Sequence, residues 1–76
     1  MKISILGTGC AKCDKLYRTA EQAVAELGLD AELEKVTGIQ DIMAFGVMMT
    51  PALAVDGEVK VVGKVPELDD LKALLT

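Results

Sequence analysis

Seventy-six residues, 51% of them hydrophobic, suffice for one domain with one small core and leave no room for a second, so residues 1–76 are expected to form a single domain. One Tyr, one Phe and no Trp make that core aliphatic, and the absence of His removes the commonest general base and metal ligand. Eight Lys and Arg against twelve Asp and Glu give a net charge of −4 with the basic residues scattered singly from Lys2 to Lys72, which argues against nucleic acid as a partner because phosphate backbones need clustered cations.

The chain opens on an apolar run, Lys2-Ile3-Ser4-Ile5-Leu6, that reads as a strand and passes through Gly7-Thr8-Gly9 into Cys10-Ala11-Lys12-Cys13. A helix is expected from about Cys10 to Leu27, because Leu16, Ala20, Ala23, Val24 and Leu27 recur at steps of three and four, and Gly28 ends it. Asp14 and Arg18 have the spacing of an exposed ion pair, with Asp14 near the favourable end of the helix dipole. Ala31-Glu32-Leu33-Glu34-Lys35-Val36 alternates as a strand with one wet face, an edge of the sheet. Thr37 and Gln40 have capping-box spacing and open a short apolar helix through Ile39, Ile42, Met43 and Phe45 that Gly46 stops. After Val47-Met48-Met49 come Thr50-Pro51 and two short apolar runs, Ala52–Val55 and Glu58–Gly63, joined by Asp56-Gly57, a strong hairpin signal. The last helix begins at Pro66, suited to a first helical position, and aligns Leu68, Leu71 and Leu75 on one face, with Glu67, Asp69 and Asp70 at its N-terminal end.

The order β-α-β-α-β-β-α implies an α/β fold. Alternating strands and helices in the first half require right-handed parallel crossovers, and the hairpin adds an antiparallel pair. The expected result is a four-stranded mixed sheet flanked by three helices, with ligands meeting the chain at the C-terminal ends of the parallel strands, where the first strand delivers Cys10.

Two cysteines this close enclose almost no loop, so a bridge between them is no staple for a small domain and reads as chemistry. Unpaired N–H groups and the positive dipole end at a helix start favour a thiolate, the form that attacks disulfides. Cys10 is therefore the expected nucleophile. Cys13, one turn further in on the same face, is placed to close a disulfide with Cys10 and expel a bound partner. Lys12 has two readings, a charge that favours the Cys10 thiolate or a solvated side chain weakly coupled across water. Tyr17 is expected to pack beside the helix, as is Met43, while Met48 and Met49 suit either packing or an apolar rim of the site.

Cys10-Ala11-Lys12-Cys13 after the first strand, Thr50-Pro51 before the third and Asp56-Gly57 turning into the fourth together resemble the thioredoxin superfamily, and within it the small glutaredoxin-like redox-active disulfide proteins of bacteria and archaea. The resemblance spans essentially the whole chain. It implies a minimal thioredoxin-like fold, thiol–disulfide oxidoreductase activity through Cys10 and Cys13, and a cis peptide between Thr50 and Pro51 beside the active cysteines. Local sequence alone favours trans. Thr50 and Pro51 are then substrate-binding residues, with the backbone of Thr50 offered to an extended substrate segment. The implied partners are a protein or low-molecular-weight disulfide and a reductase or thiol that restores the dithiol, with no cofactor and no resident metal. The chain departs from thioredoxin proper in having Gly9 before the pair and Ala11-Lys12 within it. It also has no clear match to thioredoxin's buried carboxylate or to the charged glutathione contacts of glutaredoxins.

The alternative is a thiophilic metal carrier. Cys-x-x-Cys also opens the small copper and zinc carriers of the ferredoxin-like βαββαβ class, but these usually have Met two residues before the first Cys, where this chain has Thr8, and they end in a strand. Two thiolates are half of a tetrahedral shell, so full coordination would need a dimer. No apolar stretch approaches the ~20 residues of a membrane span, and the N-terminus lacks the apolar region of a signal peptide. A cytoplasmic monomer is expected, in a compartment where disulfides tend to be catalytic.

Overall fold

The computed structural model describes residues 1–9 and 11–76. Its elements are β1 (Lys2–Leu6), α1 (Ala11–Leu27), β2 (Glu32–Val36), α2 (Ile39–Ala44), β3 (Ala52–Val55), β4 (Glu58–Val62) and α3 (Leu68–Leu75). The four strands form one sheet in the order β2-β1-β3-β4, with β1 parallel to β2 and antiparallel to β3, and β3 antiparallel to β4. The sheet is mixed, as expected, and β2 is one of its edges.

β1 is central and is buried at every position after Lys2, because helices cover both faces of the sheet around it. Ile3 and Ile5 join Leu53 of β3 and Val61 of β4 on one face, under Leu16, Ala20 and Ala23 of α1 and Leu71 and Leu75 of α3. Leu6 and Ala52 point the other way and meet Ile42 of α2 and Val47 in a second, smaller cluster. Ser4, a buried polar side chain, is satisfied by donating its hydroxyl to Glu34 Oε2 at 2.7 Å. That bond, followed by the Lys2 ammonium 3.4 Å away, holds the Glu34 carboxyl below its ordinary range despite partial desolvation.

The connections follow local chemistry. α1 ends in a Schellman motif: Leu29 N–H donates to Val24 O and Gly28 N–H to Ala25 O, with Gly28 at φ 65, where a Cβ would be strained. In the hairpin, Asp56 (φ 51) and Gly57 (φ 86) are both left-handed, as a two-residue type I′ turn requires. Asp56 also ties the hairpin to β1, since its N–H donates to Lys2 O and its Oδ1 accepts Lys2 N–H, both at 2.8 Å. Opposite Leu53 and Ala54 stand Val61 and Val59, so Lys60 is left over as a β-bulge.

Several sequence expectations need correction. α2 begins one residue late for a Thr37 cap: Gly38 is the N-cap, Ile42 N–H closes the first turn on Gly38 O, and no side chain caps the helix. A helix of six residues turns little more than one face to the sheet, so Ile42 is buried while Ile39 and Met43 stay 66% and 65% exposed. Met43 is therefore not core packing. Pro66 precedes α3 by two residues, with Glu67 as the N-cap. Asp14 and Arg18 are not among the ion pairs of the described residues. The pair that joins two helices is Lys72 of α3 with Glu26 of α1, at 2.6 Å. No helix among the described residues is long and apolar enough to cross a membrane.

Candidate active site

At the C-terminal end of β1 the chain leaves the sheet through Gly7, whose N–H donates to Val36 O at 2.9 Å and so extends the parallel pairing with β2 by one step. Cys13 lies in the first turn of α1 and is only 6% exposed. Its sulfur rests where a side chain on residue 7 would stand: a Cβ built on Gly7 would overlap Cys13 Sγ, with Cys13 Cβ at 3.0 Å and Thr50 Cβ at 4.0 Å. The fold thus gathers Cys13 and Thr50, 37 positions apart, around one glycine. The Thr50-Pro51 peptide is cis, Pro51 is fully buried, and its carbonyl accepts Gly63 N–H at 2.8 Å, while Thr50 itself is exposed. Cys10, and with it the expected contact of Cys10 with the Pro51 ring, lies outside the described residues.

Two openings flank this point. One, of 130 Å³, is lined by Ile5, Gly7, Gly9, Cys13, Asp14, Lys35 and Thr37 and has room for several waters beside the cysteine. The Lys35 ammonium also stands 4.6 Å from the ring centroid of Tyr17, a cation–π contact. Tyr17 packs against the larger core cluster beside α1, as expected, and carries this cation as well. The second opening, of 280 Å³, is an apolar cleft formed by Thr8, Ile39, Ile42, Met43, Val47, Met48 and Thr50. Its rim is unusually apolar for a surface: Met48 is 98% exposed and the neighbouring Met49 62%. Among the described residues, no three His, Cys, Asp or Glu side chains are grouped to hold a metal ion.

Neither Gly7 nor Lys35 stood out in the sequence. Gly7 read as loop, since nothing local reveals that its missing Cβ makes space for a residue six positions on. Lys35 was readable in principle: it shares the parity of Leu33, and pairing with Ile5 turns it to the α1 side of the sheet.

A mixed sheet in this order, with the helix that carries Cys13 following its central strand and a cis-proline entering the neighbouring antiparallel one, defines the thioredoxin-like fold. The comparisons with known proteins agree. The family model described as "Thioredoxin domain" matches residues 1–76. A protein named "Thioredoxin" from Methanothermobacter thermautotrophicus is 47% identical over 76 residues, covering 100% of this chain and 99% of that protein. Another of that name from Methanocaldococcus jannaschii is 43% identical over 70 residues, 92% of this chain and 80% of its own length. The chain belongs to the thioredoxin family, and at the level of that family it is a thiol–disulfide oxidoreductase.

Proposed function

We propose that Cys10 and Cys13 are the redox pair of a cytoplasmic, monomeric oxidoreductase that reduces protein or low-molecular-weight disulfides. The Cys10 thiolate attacks one sulfur of a substrate disulfide, forming a mixed disulfide and releasing the first substrate thiolate. Cys13 then loses its proton and attacks Cys10 sulfur, which closes the Cys10–Cys13 bridge and releases the second thiolate. Two electrons pass from the dithiol to the substrate, and a reductase or thiol returns them. The observation that carries this reading is the seat of Cys13: a nearly buried sulfur in the first turn of α1, on Gly7 and close to Thr50. Burial suits a resolving cysteine, which needs to meet Cys10 and not the solvent.

Substrate would pair with the backbone of Thr50, held in place by the buried Pro51, and lay apolar side chains into the adjoining cleft of Ile39, Ile42, Met43 and Met48. Flexible thioethers fit varied partners, which suits a reductase of more than one protein. Turnover of an insulin-like interchain disulfide with dithiothreitol, set beside the metal content of protein purified anaerobically, tests the reading. Turnover by metal-free protein is expected. Stoichiometric metal without turnover would favour a thiophilic metal carrier.

A further inference from the structure

Gly7 is a glycine for reasons of space. Its backbone lies outside the left-handed region, so an alanine would meet no φ penalty there. Its N–H is committed to Val36 O, which fixes the Cα against the end of β2. The residue is buried, and the place its Cβ would take is filled by Cys13 Sγ. Glycines 9, 28, 46 and 57 are the reverse case: each has positive φ, and a Cβ on any of them would meet nothing within 4 Å.

We infer that Gly7 is a positioning residue for the resolving step: the notch left by its missing side chain sets where Cys13 Sγ stands and hence how it meets Cys10. The inference rests on the proposed roles of the two cysteines. A methyl group on residue 7 occupies the sulfur's place. Relief requires Cys13 to leave its rotamer or the first turn of α1 to move off the sheet, and either displaces the sulfur. Disulfide geometry is narrow, so a displaced Cys13 closes the bridge less readily and opens it more readily. Resolution slows, and the dithiol–disulfide equilibrium moves toward the dithiol.

The test uses the full chain as wild type, Gly7→Ala, Cys13→Ala and the double variant. In glutathione redox buffers Gly7→Ala should shift the Cys10–Cys13 equilibrium at least tenfold toward the dithiol, about 30 mV for a two-electron couple. Its mixed disulfide with a model substrate should persist severalfold longer than that of wild type. In reducing buffer, chemical denaturation should show Gly7→Ala costing much less stability in the Cys13→Ala background, where the sulfur is gone, than in wild type. If Gly7→Ala does not fold and the double variant does, the same coupling is demonstrated. An unmoved equilibrium in Gly7→Ala beside a normal wild-type couple overturns the inference, as does an equal stability cost in both backgrounds. A wild type that forms no Cys10–Cys13 bridge in any redox buffer would instead overturn the proposed function, while the stability coupling, read on reduced protein, still reports on the notch.

Discussion

The two faces of the sheet are covered very differently. On one, α1 and α3 press Leu16, Ala20, Ala23, Leu71 and Leu75 onto Ile3, Ile5, Leu53 and Val61, and a 2.6 Å ion pair joins the two helices. On the other, the six residues of α2 bury Ile42 alone and leave Ile39, Met43 and the following Met48 and Met49 in water. Apolar side chains therefore serve two ends in one small protein. On the first face they are spent on stability. On the second they stay exposed at the rim of a cleft lined also by Thr8 and Thr50. Exposed apolar clusters of this kind commonly mark interaction sites.

Stability is where the contrast should be greatest. Leu53→Ala, at a fully buried central position, should cost about 2–5 kcal/mol, a large share of the ~5–15 kcal/mol available to a small domain. Met48→Ala, at an almost fully exposed one, should stay within about 0.5 kcal/mol of wild type. Urea denaturation of the two variants reads the difference, and a costly Met48→Ala would show that the second face is packed in solution. Function should reverse the ranking. The double substitution Met43→Ser and Met48→Ser should raise KM for an apolar polypeptide disulfide by several-fold to tenfold, while turnover of a small disulfide such as oxidised glutathione changes little. Equal effects on both substrates would place the methionines outside the docking surface.

A smaller effect sharpens the account of the first face. The Lys72 side chain, followed by Gln22, holds the Glu26 carboxyl below its ordinary 4.5, and Glu26 in turn raises Lys72 above 10.5. The carboxylate's contribution is present above pH 4.5 and is lost as the pH falls through its depressed folded value. That of the ammonium is present below pH 10.5 and is lost as the pH rises through its elevated one. Glu26 is exposed and Lys72 only partly covered, so the effect is slight. Thermal melts of wild type and Glu26→Gln should differ a little at neutral pH and converge below the usual carboxylate range. A gap that persists in acid would assign the difference to something other than this pair.

Most of the fold is legible in the sequence because its signals are local. The 3.6-residue period of Leu16, Ala20 and Ala23 marks α1, Gly28 marks its end, and Asp56-Gly57 marks the hairpin. The cis peptide at Thr50-Pro51 became an expectation only through resemblance to the thioredoxin superfamily, since nothing near it in sequence calls for one. Errors fall where tertiary context decides. Thr37 and Gln40 have the spacing of a cap, but the chain leaving β2 enters its helix from Gly38. Met43 is on an apolar helix too short to bury it. In the site, Cys13 is readable from its spacing to Cys10 and Thr50 only through the resemblance, whereas the notch at Gly7 depends on a contact six residues away and the placing of Lys35 on the pairing of two strands.

The central claim, a nucleophilic Cys10 resolved by a seated Cys13, is tested most directly by trapping. Reduced Cys13→Ser and Cys10→Ser proteins are each mixed with a peptide disulfide, and the adducts are mapped by mass spectrometry. Cys13→Ser should accumulate a stable mixed disulfide through Cys10, and Cys10→Ser should form little or none. Stable adducts through Cys13 in Cys10→Ser, with none in Cys13→Ser, would contradict the account and reverse the two roles.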